Sequence, residues 1–159
     1  MKPVHFNIVL VAPEIPQNTG TIGRLAVATE ASLHLVDPLG FSLEDKYLKR
    51  AGMDYWCHLD LHRYGNWEEF LEKNGQPQRL FFFSTHGTKR YWDTAYAEHD
   101  YLVFGRESAG LPPEFYTRYA EQLRLIPMPG RFNRSLNLAN AVSIVLYEAL
   151  RQNEALLDS

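Results

Sequence analysis

The sequence predicts an α/β protein built on a mostly parallel sheet with helices on both faces. Short apolar runs of strand length alternate with amphipathic stretches of helix length along the whole chain, the pattern of successive β-α units. No repeat, low-complexity tract or Ser/Gly-rich linker interrupts that alternation. The 159 residues match one domain, expected to span 1–159. A chain of about 150 residues buries on the order of 70% of its unfolded surface, enough for a real core.

Residues 4–11 (VHFNIVLV) read as the first strand, broken by Pro13 and Pro16. Residues 19–29 are a helix rich in small side chains, with Gly20 and Gly23 inside it. An interior glycine costs a helix on the order of 1 kcal/mol relative to Ala, so these two mark a helix that something approaches closely. Residues 33–36 (LHLV) are the second strand. Ser42, with Asp45 three residues on, opens a helix in the manner of a capping box, and Gly52 closes it. Residues 55–61 read as a weak strand. Asn66 and Glu69 open the next helix and Gly75 ends it, while residues 80–85 (LFFFST) and 101–104 (YLVF) are buried strands. Pro112 and Pro113 suit the first turn of a further helix. Residues 123–127 are the last short strand and residues 137–152 the longest helix. In that helix Leu138, Ala141, Val142, Val145 and Ala149 share one face, while Ile144, Leu146 and Leu150 lie elsewhere. A helix apolar nearly all round is covered on more than one side. The second cover expected here is a partner subunit, making the protein a homodimer.

Composition excludes several classes of protein. Hydrophobic residues are 45%, charged residues 22% and aromatic residues 13%, which argues for a globular chain and against disorder. One cysteine, Cys57, leaves no intramolecular disulfide, as expected of a cytoplasmic protein. Apolar runs fall far short of the roughly 20 residues that a membrane helix needs, and the start, MKPVHF, carries no signal-peptide pattern. The net charge is −3, so any attraction to nucleic acid has to come from a local basic patch.

Three stretches look unlike ordinary α/β filler. Pro16-Gln17-Asn18-Thr19-Gly20-Thr21-Ile22-Gly23-Arg24 follows the first strand at a helix start, where parallel sheets bind ligands. Arg24 offers a planar fork to a phosphate; the plainer reading makes Asn18 a helix cap and Arg24 a surface residue. Phe104-Gly105-Arg106-Glu107-Ser108-Ala109-Gly110-Leu111 sets Glu107 between two glycines after another strand, which on its own is an ordinary turn. Residues 126–141 (IPMPGRFNRSLNLANA) run from a Pro/Gly loop into Ser135, Asn137 and Asn140 at the entrance of the longest helix. Asparagine is a poor interior helix residue, so the three polar side chains suggest a site. A cap at Ser135 or Asn133 accounts for one of them.

Taken together, Asn18-x-Gly20-x-x-x-Arg24, Phe104-Gly105-x-Glu107-x-x-Gly110 and Ile126-Pro127-Met128 with Ser135-Leu136-Asn137-Leu138-x-Asn140-Ala141-Val142 resemble the three motifs of the SPOUT RNA methyltransferases. Among these, the SpoU-type ribose 2′-O-methyltransferases fit best. The resemblance covers essentially the whole chain. Pro13-Glu14-Ile15-Pro16-Gln17-Asn18-Thr19-Gly20, Leu39-Gly40-Phe41 and Ala51-Gly52-Met53-Asp54-Tyr55 look like the short TrmL-type branch, which methylates the wobble cytidine or uridine of tRNA without a separate RNA-binding domain.

The resemblance implies a deep C-terminal trefoil knot, a homodimer, and S-adenosyl-L-methionine as cofactor, released as S-adenosyl-L-homocysteine. By motif, the cofactor lies against Phe83, Gly105, Ile126, Met128, Ser135 and Leu136, held largely by backbone groups. Asn18, Arg24, Glu107, Ser135 and Asn137 match the catalytic positions. Arg24 keeps its proton above pH ~12, so it suits holding a phosphate and stabilising charge on the 2′-oxygen better than acting as a base. Glu107 and Asn18 then orient Arg24 or the ribose, across the dimer interface. Arg131 and Arg134 flank the site as candidates for the tRNA anticodon stem-loop, with Lys46, Lys49 and Arg50 on one helix. His86, Lys89 and Arg90 stand beside Tyr91 and Trp92, a mixture of cations and aromatics that suits RNA.

Other classes explain less. Cys57, His58 and His62 lack the second ligand pair of a structural zinc site, so a partly buried thiol, surface histidines and no metal are expected. Ser84, His86 and Asp93 lack the Gly-x-Ser-x-Gly elbow of a hydrolase. A flavodoxin-like nucleotide-binding module would explain Thr19-Gly20-Thr21 at a helix start but leave Glu107, Ser135, Asn137 and Asn140 idle. A non-catalytic RNA-binding relative would not need the intact catalytic set.

Overall fold

The computed structural model describes residues 1–46, 48, 50 and 54–159. Seven strands form one sheet: β1 (Asn7–Val11), β2 (Ser32–Val36), β3 (Leu61–Tyr64), β4 (Leu80–Phe83), β5 (Lys89–Arg90), β6 (Tyr101–Phe104) and β7 (Leu123–Leu125). Their order is β3-β2-β1-β6-β4-β7-β5, and every pairing between them is parallel. Two later strands are thus inserted between earlier ones, an order compatible with the knotted fold that the resemblance implies. The helices whose bounds lie within the described residues include α1 (Pro16–Thr29), α2 (Trp67–Lys73), α3 (Phe115–Arg118), α4 (Leu138–Gln152) and α5 (Glu154–Leu157). Among the described residues no helix is long and apolar enough to cross a membrane.

Alternation along the strands divides the core. Ile8 and Leu10 of β1 pack with Ile22 and Ala26 of α1 and with Val142, Val145 and Leu146 of α4. Val9 and Val11 pack on the other side with Phe70 and Leu71 of α2 and Phe115 of α3. Helices therefore cover both faces, as the sequence predicts. α4 buries the side that carries Val142, Val145, Leu146 and Ala149, while Asn140 and Tyr147 face outward.

Several expectations are corrected. α1 begins at Pro16, three residues earlier than predicted, with the proline in its first turn, where a missing N–H costs nothing. Residues 55–61 are not a strand: Trp56–His58 form a 3₁₀ turn and β3 follows at Leu61. Tertiary packing decides this, because Trp56 lies against Gly23, where a Cβ would sit 3.0 Å from the indole ring. Gly23 is thus the close approach that its place in the helix predicts. Cys57 is exposed rather than partly buried. Asn66 caps α2 as expected, accepting from Glu69 N at 2.8 Å, and the Glu69 carboxylate in turn accepts the Gly65 N–H. The predicted helix end at Gly52 lies outside the described residues, as do Lys49, Ala51 and Met53.

One buried polar network holds β1, β2 and β3 together. His34 is 3% exposed. Its Nδ1 meets the Tyr64 hydroxyl at 2.8 Å and its Nε2 meets Asn7 Oδ1 at 2.9 Å. Burial, reinforced by the neighbouring His62, lowers its pKa from 6.5 to about 3. Between those values the unfolded chain takes up a proton that the folded chain refuses. Stability is therefore complete above pH 6.5 and falls as the pH drops, by about 1.4 kcal/mol per pH unit from this group. Urea denaturation between pH 7 and pH 4 is expected to show this loss, with a slope shallower by about that amount in His34→Gln. An equal slope in the two proteins would assign the acid sensitivity to other groups.

Candidate active site

A cavity of about 520 Å³ opens at the carboxyl ends of β4, β6 and β7, beside the start of α1. Ligands of open parallel sheets bind there, because loops leave the strands and helix N-termini point inward. Phe83, Gly105, Ile126, Met128, Ser135 and Leu136, the predicted cofactor residues, all line it. So do Asn18, Glu107 and Asn137. The chain brings together residues that are far apart in sequence because each follows or opens an element of the same sheet end.

Glu107 ties these segments together. α1 has no side-chain cap of its own: its N-cap is Ile15, and Asn18, which the plainer reading makes a cap, stands inside the helix. The Glu107 carboxylate accepts Glu14 N–H at 2.8 Å, Ile15 N–H at 2.9 Å and Asn18 Nδ2 at 3.2 Å. A carboxylate at a helix N-terminus is favoured both by the free N–H groups and by the helix dipole. Asn18 Oδ1 then accepts from Asn137 Nδ2 at 3.0 Å, and Asn137 Oδ1 accepts Asn140 N–H at 3.1 Å, capping α4. Asn137, rather than Ser135 or Asn133, is therefore the cap. In the reverse direction, Glu14 Oε1 accepts the Ser108 N–H at 2.9 Å and its hydroxyl at 2.7 Å. Those bonds hold the Glu14 carboxyl below the usual range.

The Glu107 turn is closed on itself. Arg106 and Gly110 exchange backbone hydrogen bonds at 3.1 and 2.9 Å. A Cβ on Gly105 would lie 2.1 Å from the Gly110 carbonyl carbon, and Gly110 adopts φ +73°. Both positions require glycine.

The sequence reading misses part of the wall. Ser84 Oγ hydrogen-bonds the Tyr116 hydroxyl at 3.1 Å and accepts His86 N–H at 3.1 Å, and the His86 ring meets Tyr116 edge-on at 5.5 Å. The available signal for Ser84 and His86 is their place just past a buried strand. Nothing in the sequence marks Tyr116.

Other predicted residues lie outside the cavity. Six helical residues turn Arg24 about 240° from Asn18 and shift it about 9 Å along α1. Its guanidinium sits exposed, 4.8 Å from the Tyr55 ring centre. Arg131 covers the exposed Phe132 ring at 5.1 Å, and Arg134, Lys46 and Arg50 are exposed. A single copy of the chain does not gather these cations at the cavity.

Residues 5–147 match the model of the SpoU rRNA Methylase family. The chain belongs to this family. Among SpoU relatives, a tRNA (cytidine(34)-2′-O)-methyltransferase of Acidovorax sp. is 49% identical over 155 residues, covering 95% of this chain and 94% of the relative. One from Saccharophagus degradans is 47% identical over 149 residues, covering 92% and 95%. A solved structure described as giving insight into 2-OH methylation of C/U34 on tRNA superposes with TM-score 0.91 at 46% identity, covering 97% of this chain and 99% of that one. The SpoU methyltransferase AviRb from Streptomyces viridochromogenes, in complex with AdoMet, superposes with TM-score 0.80 at 26% identity, covering 96% of this chain and 59% of that one.

In this SpoU protein, Glu107→Gln keeps the size of the side chain but sets an amide donor against a web of donors. A loss of about 1.5–3 kcal/mol is expected, the scale of hydrogen bonds to a charged group, read by urea denaturation at pH 7. An unchanged midpoint would mean that the carboxylate does not hold α1.

Proposed function

We propose that the chain is an S-adenosyl-L-methionine-dependent methyltransferase that modifies the ribose 2′-hydroxyl of the wobble nucleotide of tRNA, cytidine or uridine 34. One observation carries this reading. The Glu107-Asn18-Asn137 web stands in the wall of the same cavity that gathers all six predicted cofactor residues, in a chain whose relatives of nearly equal length carry that activity in their names.

The cavity suits the cofactor. Its volume lies within the roughly 300–1,000 Å³ of small-molecule sites. Phe83, Ile126, Met128, Leu136 and Leu138 offer an apolar wall for a flat base, and Ser84, Asn18, Glu107 and Ser135 offer a polar one for the charged end. S-adenosyl-L-methionine supplies an electrophilic methyl on a sulfonium that leaves as the neutral thioether of S-adenosyl-L-homocysteine. Backbone groups of Gly105, of the 126–128 loop and of Ser135-Leu136 bind and orient that ligand. Asn18 and Asn137, locked by Glu107, hold fixed polar groups beside it, so alignment costs no rearrangement during reaction.

Arg24 completes the site from a second copy of the chain, because it turns away from the cavity of its own copy. Its guanidinium holds a phosphate next to the 2′-oxygen and stabilises the negative charge that develops there. The pairing of copies is supported by exposed apolar side chains at the rim and on α4: Ile15, Leu136 and Tyr147. Arg131 and Arg134, on the loop that leads into α4, are placed to meet the anticodon stem-loop.

Purified protein mixed with S-adenosyl-L-methionine and tRNA lacking this modification is expected to yield a 2′-O-methyl group at nucleotide 34, located by nuclease digestion and mass spectrometry. Methylation at another ribose would keep the chemistry and overturn the position. Absence of both methylation and cofactor binding would overturn the reading altogether. Arg24→Lys is expected to lower turnover on the order of 10²-fold, the scale of a lost transition-state donor, with cofactor affinity unchanged. Near-normal turnover would remove the guanidinium from the reaction.

A further inference from the structure

A second concavity lies near the β5 edge of the sheet, lined by Arg79, Lys89, Arg90, Asp93, Thr94 and Arg124 among others. Arg124 is 9% exposed. Its Nε donates to Thr94 Oγ1 at 2.6 Å, and one terminal nitrogen donates to the carbonyls of Glu121 and Leu123 at 3.0 and 2.9 Å. The guanidinium lies 5.3 Å over the Phe81 ring and, among the described residues, has no ion-pair partner. A buried guanidinium stays protonated, and a buried charge without a counter-charge is costly. Arg79, 5.4 Å over the same ring, is already paired with the fully buried Asp100. Lys89 and Arg90 are exposed, and no carboxylate among the described residues pairs with them. Among the described residues Asp93 is the one carboxylate in the lining, against three cations without ion pairs. A multi-oxygen anion such as a phosphodiester fits this balance, since it satisfies several planar or flexible donors at once.

Two further features point to RNA. Trp92 is 46% exposed and Arg90 lies 5.9 Å from its ring centre, a stacking platform beside cations. The strand β5 and the active-site wall are also one continuous segment: His86 lines the active cavity and Arg90 the second one. Four residues span at most about 14 Å, a reach of only a few nucleotides.

We infer that this concavity holds backbone phosphates of the substrate RNA a few nucleotides from the methylated ribose. Arg124 is its buried anchor, Lys89 and Arg90 are its rim, and Trp92 stacks on an unpaired base. The inference rests on tRNA being the substrate. It also explains how a chain of net charge −3 attracts a polyanion through local charge.

The test uses the intact protein and unmodified tRNA, with affinity measured by fluorescence anisotropy over a series of salt concentrations. Lys89→Ala/Arg90→Ala changes only exposed side chains. It is expected to weaken tRNA binding on the order of 10-fold and to flatten the slope of log K against log[salt] by about 1.5, the share of two phosphate contacts. Cofactor affinity stays unchanged, and the loss is read as a raised KM for tRNA. Trp92→Ala is expected to weaken binding at least about fivefold without changing the salt slope. Wild-type affinity and slope in the double variant overturn the inference while leaving the methyltransferase reading intact. Inorganic phosphate binding that is lost in the double variant while tRNA affinity and slope are unchanged would make this a small-anion site and overturn the inference as well. A wild-type protein that binds cofactor but no tRNA would overturn the substrate reading, and this inference with it.

Discussion

The Glu107 carboxylate is the contact on which the candidate site depends. Two oxygens receive two backbone N–H groups at the start of α1 and the amide of Asn18, so one side chain from the β6 loop serves as cap for a helix almost a hundred residues earlier. α1 has no local cap to replace it. Because Asn18 passes the connection on to Asn137, the cap of α4, one carboxylate sets the relative position of both helices that pack on that face. Partly buried hydrogen bonds of this kind reinforce one another, and a shift in one member moves the others.

The division of labour in the cavity follows from this arrangement. Glycines at 105 and 110 allow the Glu107 turn to fold against its own backbone, and Phe83, Ile126, Leu136 and Leu138 give the cavity an apolar wall. Side-chain polarity is concentrated at the Glu107-Asn18-Asn137 web rather than along that apolar wall. Apart from Arg106, which lines the cavity, these cations stay at the periphery: Arg24, Arg131 and Arg134 are exposed, and Arg79, Lys89, Arg90 and Arg124 collect around a separate hollow at the sheet edge. That separation suits an enzyme that must seat a small cofactor in a mostly apolar cage and grip a long polyanion outside it.

The fold and much of the site were legible for identifiable reasons. Strands such as β4 and β6 are apolar at successive positions, so burial on both faces leaves a mark in composition. Asn66 and Glu69 are local capping signals, and local chemistry acts over three residues. The cavity wall at Phe83, Gly105, Ile126, Met128, Ser135 and Leu136 was legible through motif resemblance, since strand ends and loop glycines keep their spacing. Residues 55–61 were misread because a Trp ring seated on Gly23 outweighs weak strand propensity. Ser84 and Tyr116 were missed as partners because their contact joins segments about thirty residues apart, which no periodicity reports.

The sequence by itself determined the alternation of strands and helices, the covering of both sheet faces, and the residue types that a methyl-transfer site would need. These follow from short-range rules, in which hydrophobic period, glycine conformation and capping chemistry act within a few residues. Only the tertiary structure decided that Glu107 caps α1, that Asn137 rather than Ser135 caps α4, that Arg24 turns away from its own cavity, and that Arg124 is buried with no ion pair among the described residues. Each of these depends on which strand ends become neighbours in the sheet, and that order is set by the packing of the whole chain.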